Sequence, residues 1–334
     1  MEHSTTIGID LAKTVFQVHG VDANGLATLK RKLRRSQVLT FFERLDPCLV
    51  GMEACAGAHF WARELAAFGH EVRIMPPSYV KPYVKRGKTD AADAEAICEA
   101  VTRPTMRFVP VKSAERQAAL LDHKTRDFLV RQRTQLVNTI RAHLSEFGIV
   151  VAKGIHNVER LLEATNDLPA AARQAVDMLA DHLRETQDKI DEVTARIEAA
   201  QKKDPLAKRL ATIPGVGTLT ASAIAATTPE VDNFHSARDY AAWLGLTPQP
   251  HSSGGKERLG RISKAGNRYL RRLLYLGAMA QISVRRCGKP GTDWLWRMLE
   301  RKPVKVVAVA LANRMARVVW ALIRSGESYR ATPA

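Results

Sequence analysis

Three β-like runs follow one another at the start of the chain: Thr5–Asp10, Val15–Val21 and Ala27–Lys32. They are broken only by Ala12-Lys13 and by Ala23-Asn24-Gly25. Connections this short leave no room for a crossover helix, so adjacent runs must pair antiparallel. Ser36–Leu45 then reads as a helix with Ser36 as its N-cap. Leu49–Met52 is a short buried strand, Ala58–Phe68 a helix and Glu71–Met75 another strand. Pro76, Pro77 and Pro82 force a loop, after which Asp90–Val101 returns to helix. Three strands followed by β-α alternation predict a mixed α/β sheet layered with helices.

The rest of the chain changes period. Leu129, Arg133, Leu136, Ile140, Leu144 and Phe147 follow three-and-four spacing, as does a longer run from Val176 through Leu183, Ile190 and Val193 to Ile197. The second run suits a coiled-coil seam, within the chain or between chains, and equally an ordinary amphipathic helix. After Asp204-Pro205 the pattern stays mostly helical, with a Gly-rich segment at His251–Gly255 and a long helix from about Ile262 to Ser283. The expected domains are 1–112 (α/β), 113–205 (helical spacer with a possible role in oligomerisation) and 206–334 (mostly α-helical).

Charge separates these parts. The chain carries 51 Lys+Arg against 34 Asp+Glu, a net of +17. The three segments hold +4, −1 and +14 in order, so the excess sits in the last third. A surface that basic suits a polyanion, most commonly nucleic acid. Cys48, Cys55, Cys98 and Cys287 form no CxxC pair, which points to free thiols in a reducing compartment. Met1-Glu2-His3-Ser4 opens no apolar signal region. Val304–Ile323 is broken by Lys305, Asn313, Arg314 and Arg317, so it reads as an amphipathic helix and not a membrane span. The expectation is a soluble, cytoplasmic protein.

Four carboxylates stand out. Asp10 ends one strand-like run and Glu53 follows another, Val50-Gly51-Met52. Asp90 and Asp93, three apart at the start of a helix, share one face. Two-metal phosphodiester chemistry needs that many hard oxygen ligands, because paired ions repel each other. Taken singly, each has a simpler explanation: an Asp after a strand forms turns, Asp90 is a natural N-cap, and Asp93 suits the helix dipole. Only the set argues for a metal site.

The motifs Gly8-Ile9-Asp10-Leu11-Ala12-Lys13, Gly51-Met52-Glu53-Ala54-Cys55-Ala56-Gly57 and Lys88-Thr89-Asp90-Ala91-Ala92-Asp93-Ala94 resemble the metal-binding motifs of the DEDD transposases. These are insertion-sequence enzymes of the IS110 and IS1111 type, and the resemblance spans nearly the whole chain. It implies a ribonuclease-H-like first domain similar to the junction resolvase RuvC. It also implies Mg2+, with Mn2+ as a possible substitute, held by Asp10, Glu53, Asp90 and Asp93. Gly8-Ile9-Asp10 also suits the first phosphate loop of actin-like ATPases, but no second Gly-rich loop follows. Gly87-Lys88-Thr89 resembles the end of a P-loop, yet Pro82 stands where that motif requires glycine.

In the basic part, Thr212-Ile213-Pro214-Gly215-Val216-Gly217 before a small-residue helix resembles a helix-hairpin-helix turn. Gly215 and Gly217 would let backbone approach a phosphate, a contact that positions nucleic acid without reading bases; a plain tight turn is the rival. Lys256, Arg258, Arg261 and Lys264 lead into Arg268, Arg271 and Arg272 against a single Glu257. Such a stripe neutralises phosphates and makes binding salt-dependent. The family's Ser-Gly motif ahead of a Gly-Asn-containing basic helix is matched by Ser253-Gly254 and by Ile262-Ser263-Lys264-Ala265-Gly266-Asn267. The resemblance therefore implies Ser253 as a nucleophile on a DNA phosphate, with Ser252 the adjacent alternative. It implies active-site halves from different protomers of a dimer or tetramer, a structured noncoding guide RNA from the element's ends, and action at the bacterial nucleoid.

The resemblance thus implies an RNA-guided transposase that cuts and rejoins DNA. Two alternatives stay open. A junction endonuclease using water would survive Ser253→Ala but not Asp10→Ala, and a non-catalytic DNA-binding protein would never cut.

Overall fold

The computed structural model describes residues 4–85, 89–165, 168–252, 254–256, 258–288, 291 and 293–330. Its contacts divide the chain into two compact units, Met1–Glu115 and Arg116–Ala334.

The first unit opens with β1 (Thr6–Asp10), β2 (Val15–Val21) and β3 (Ala27–Arg34), paired antiparallel in sequence as the short connections require. The helix expected at Ser36–Leu45 is shorter. A 3-10 turn, Arg35–Gln37, leads into α1 (Val38–Glu43), and Ser36 lies inside that turn. Gln37 takes the capping part instead, its Oε1 accepting from the Arg34 N–H at 2.9 Å. Then come β4 (Leu49–Glu53), α2 (Ala58–Ala67), β5 (Glu71–Met75), α3 (Pro77–Val80) and α4 (Asp90–Val101). The five strands form one mixed sheet in the order β3-β2-β1-β4-β5, with β1, β4 and β5 mutually parallel.

Side-chain alternation divides the layers. Ile7, Ile9, Val50 and Met52 pack with Trp61, Leu65 and Phe42 of the helices on one face. The other face carries Gly8 and Gly51, and α4 lies directly upon them. A Cβ on Gly8 would run into the carbonyl oxygen of Ala94 and the backbone nitrogen of Cys98, and one on Gly51 would stand 2.8 Å from Val101 Cβ. These glycines set how closely α4 approaches the sheet.

The second unit is largely helical. α5 (Ala114–Ser145) is followed by α6 (Val158–Glu163) and α7 (Ala170–Gln201). α7 runs antiparallel to α5: Arg126 Nε donates to Thr194 Oγ1 at 2.7 Å, Arg133 to Gln187 at 2.7 Å, and Arg196 pairs with Asp122 at 3.0 Å. The apolar run read from the sequence is the buried stripe of α7, including Val176, Leu183, Ile190, Val193 and Ile197.

Asp204 caps α8 (Pro205–Leu210), accepting from the Leu206 and Ala207 N–H groups. α9 (Thr218–Thr227) and α10 (Ala237–Trp243) precede a hairpin of β6 (Pro248–Pro250) and β7 (Leu259–Ile262), and α11 (Arg268–Arg286), α12 (Trp294–Arg301) and α13 (Val304–Ser325) follow. The long helix expected from Ile262 therefore starts six residues late, at Arg268. Lys264 (φ 55°) and Gly266 (φ 73°) are left-handed, which stops a right-handed helix from extending back through them. Asn267 then caps α11 by accepting from the Tyr269 and Leu270 N–H groups. Among the described residues α13 alone is long and apolar enough to cross a membrane. Its Val307, Leu311, Met315 and Val319 face are buried in the core of this unit, against α10 and α11.

His123 of α5 is 2 % exposed and joins three helices, its ring nitrogens 3.3 Å from Tyr269 Oη and 3.1 Å from Ser222 Oγ. Burial depresses its pKa to about 4, opposed by Asp122 and assisted by Arg126. The folded state thus prefers the neutral ring, whereas the unfolded chain takes up a proton near pH 6.5. Stability is expected to fall as pH drops from about 6.5 to about 4, by on the order of 3 kcal/mol. Melts of the wild type and His123→Gln across that window test this: the substituted protein should lose this part of the pH dependence.

Candidate metal centre and nucleic-acid interface

The carboxylates meet at one end of the sheet. β1 and β4 are parallel and pair Ile9 with Met52, so Asp10 and Glu53 leave neighbouring strand ends on the face that α4 covers. α4 begins at Asp90 and supplies both acidic residues of its first turn. One oxygen each from Asp10, Asp90 and Asp93 lies within 4.8 Å of the others. Glu53 stands outside that tight triad but close enough for its charge to be felt there. Its carboxyl is pushed above the usual range by burial and by the charges of Asp10 and Asp93. Asp10 is raised likewise, by burial first and then by Asp93 and Asp90, against a lowering hydrogen bond from the Leu11 backbone.

Local structure explains why Asp90 is available. The sequence suits it as an N-cap, but Thr89 holds that position, its Oγ1 accepting from the Ala92 N–H at 3.3 Å. Asp90 is consequently the first helical residue, with its carboxylate free of the capping task. Three hard oxygen donors with a fourth beside them fit a divalent cation, whose charge would offset the repulsion that adds to burial in raising Asp10 and Glu53.

The basic residues are distributed more widely than one helical face. Arg261 lies on β7, Lys264 in the turn after it, and Arg268 on the first turn of α11, all exposed. Lys256 and Arg258 are exposed on the β6–β7 hairpin. Arg271 is engaged internally, donating to the Leu244 and Ala265 carbonyls at 2.8 and 2.9 Å. Arg272 pairs with Asp127 and lies over the Tyr269 ring. Gly215 adopts φ 78° and packs on α11, where Gly277 and Gln281 fill the space a Cβ would need. Gly217 is the N-cap of α9 and has open space above it. Ser253 lies outside the described residues. Ser252 is exposed, and its Oγ accepts from the Arg258 N–H at 3.1 Å across the hairpin.

Sequence reasoning passed over a cleft beside the carboxylates. It holds about 410 Å³ between β2, β3 and the start of α4, lined by Gln17, His19, Lys30, Lys32, Thr89 and Glu95 among others. The available signal was the alternation of Lys30 and Lys32 along β3, which puts both on the face of Gln17 and His19 through the register Gln17↔Lys32 and His19↔Lys30.

Residues 7–149 match a transposase family model of the DEDD kind, and residues 207–290 match the model described as Transposase IS116/IS110/IS902 family. The chain is 49 % identical to a family 20 transposase of Pseudomonas aeruginosa, over 97 % of this chain and 98 % of the relative. It is 39 % identical to the transposase for insertion sequence element IS1328 of Yersinia enterocolitica, over 98 % of each. With the transposase for IS1111A of Coxiella burnetii it shares 38 % over 99 % of this chain and 92 % of the relative. The DEDD match also implies a ribonuclease-H-like fold for the mixed α/β unit. With residues 7–149 and 207–290 matched by the two models and relatives aligned over 97–99 % of the chain, this protein belongs to the IS110-type DEDD family of insertion-sequence transposases, enzymes that cut and rejoin DNA.

Proposed function

We propose that this transposase uses Mg2+, with Mn2+ able to substitute, bound by Asp10, Glu53, Asp90 and Asp93, and a serine nucleophile, Ser253. The observation that carries the metal reading is the convergence of Asp10, Asp90 and Asp93 oxygens within 4.8 Å, with Glu53 alongside. Divalent ions there would supply Lewis-acid polarisation of the phosphate and charge compensation for the oxygens around it. Ser253 Oγ gives up its proton and attacks phosphorus, an Oγ–P bond forms, the P–O bond to the departing strand breaks, and that strand's oxygen takes up a proton to leave as a hydroxyl. Because one phosphodiester is exchanged for another, the energy for rejoining is retained in the protein–DNA ester. A serine hydroxyl needs activation for this. The reading therefore requires the serine and a carboxylate cluster to meet, in the family resemblance through different protomers of a dimer or tetramer.

In this reading the segments 1–112, 113–205 and 206–334 act as metal-binding domain, helical spacer and basic DNA-binding domain. The apolar seam of the spacer is closed within the chain, where Val176 and Leu183 of α7 pack with Leu136 and Ile140 of α5. Gly217 at the α9 N-terminus, with Lys256, Arg258, Arg261, Lys264 and Arg268, holds backbone phosphates. Gly215 and Arg271 support that surface from within, and the exposed Arg272 is tied to Asp127. A structured noncoding RNA made from the element's ends guides the choice of DNA, and the protein works in the bacterial cytoplasm on nucleoid DNA.

The test combines full-length protein, Mg2+ and labelled element-end DNA, with and without the flanking RNA. A covalent protein–DNA adduct is expected, strengthened by the RNA and lost in Ser253→Ala. Cleavage that persists in both Ser253→Ala and Ser252→Ala would leave a water-using nuclease and sink the serine mechanism.

A further inference from the structure

We infer that the cleft between β2, β3 and the start of α4 is a subsite for a backbone phosphate of the DNA strand being cut, with Lys30 and Lys32 as its cations. The inference rests on the metal reading only for its location beside the carboxylates.

The register builds the site. Gln17 stands opposite Asp10 on β1 and opposite Lys32 on β3, so Lys32, Gln17, Asp10 and Glu53 follow one another across four adjacent strands. At the usual strand spacing, Lys32 lies two strands, or about 10 Å, from Asp10 along that row. His19 and Lys30 form the row behind, opposite Gly8. All four side chains share the face that α4 covers and line one cleft of about 410 Å³.

The chemistry of the lining is that of an anion site. Among the described residues neither Lys30 nor Lys32 meets a carboxylate at ion-pair distance, whereas the lining's own acid, Glu95, is bound by Lys85 at 2.7 Å. Lys30 and Lys32 are thus exposed cations on alternate residues of an edge strand, outside any ion pair at contact distance, although the charge of Lys30 is felt at Glu95. His19 is 7 % exposed and lines the cleft beside Gln17. Carboxylates alone would repel a nucleic-acid strand. Cations two strands along the sheet counter that repulsion at a nearby phosphate while leaving the triad to the scissile one. This division of charge favours the strand undergoing cleavage over a strand held elsewhere.

The experiment measures binding without cleavage. Full-length protein in EDTA is titrated with a labelled single-stranded DNA of the element end, and separately with an RNA of the same sequence, across a salt series. Each lost phosphate contact on a single strand lowers the slope of log affinity against log salt by about 0.7. Lys30→Gln/Lys32→Gln is expected to lower the DNA slope by about 0.7, and Lys30→Arg/Lys32→Arg to restore it, at unchanged melting temperature. An unchanged DNA slope in the Gln variant overturns the subsite, as does an Arg variant that fails to restore it. A change confined to RNA overturns the assignment to the cut strand. Since no metal or cleavage enters this measurement, its outcome is independent of whether Asp10 or Ser253 proves catalytic.

Discussion

Asp10→Asn is expected to abolish divalent-dependent strand cleavage, at a cost of about 4 kcal/mol or roughly a thousandfold in rate, while leaving the metal-free protein at least as stable as wild type. Both halves follow from the same geometry. Asp10 sits beside the acidic turn of α4, and burial with the charges of Asp93 and Asp90 raises its carboxyl. A carboxyl that is raised in the folded state binds its proton more tightly there than in the unfolded chain. Metal-free wild type should therefore lose stability as pH rises from the ordinary carboxylate range through the raised values of Asp10 and Glu53. The amide removes one charge from this cluster and with it part of that loss. Added Mg2+ should stabilise wild type more as pH increases, and stabilise Asp10→Asn far less. Melting curves with and without Mg2+ between pH 4 and 8, alongside a cleavage assay, measure both effects. A variant that cleaves normally, or one destabilised in EDTA at neutral pH, would count against this account of the cluster.

Gly8→Val has the largest expected effect on folding. At Gly8 the first added carbon meets the backbone of α4, at Ala94 and Cys98, and not the end of a flexible side chain. Backbone cannot rotate out of the way, so α4 must lift from the sheet. Overpacking of this kind costs about 1–3 kcal/mol or more, and lifting α4 carries Asp90 and Asp93 away from Asp10. The expected outcome is a drop of about 10 °C or more in melting temperature, together with loss of Mg2+-induced stabilisation even in the fraction that remains folded. Thermal denaturation followed by circular dichroism, with and without Mg2+, reads both. A variant with a near-normal melting temperature and intact Mg2+ response would mean that α4 does not depend on this close approach.

Much of this was legible in the chain. The order of strands and helices in residues 5–101 follows from run length, turn residues and proline, and the α7 seam from its three-and-four spacing. The pairing of Asp90 with Asp93 follows from helical geometry alone. Local signals misled where two of them competed. Ser36 looked like a cap, but Gln37 reaches back to the Arg34 N–H and a 3-10 turn forms around it. The run from Arg261 to Arg272 reads as one cationic helix until Lys264 and Gly266 take left-handed backbone and split it into strand, turn and helix. That split removes the single stripe: Arg271 turns inward to two carbonyls, and Arg272 to Asp127.

By itself the sequence determined the class of each segment, the charge gradient along the chain and the family, because periodicity, composition and motif order are local or one-dimensional properties. Only the tertiary structure decided which carboxylates share a site. Asp10 and Glu53 lie far apart in the chain and become neighbours through parallel pairing of β1 with β4. α4 then brings Asp90 and Asp93 to them because two glycines, at 8 and 51, leave no side chain between helix and sheet. The same register, invisible in any single strand, sets Lys30 and Lys32 beside the acids. Strand pairing and interlayer distance are long-range packing outcomes, and a linear pattern carries them only as a glycine or a lysine whose reason cannot be seen until the layers are in place.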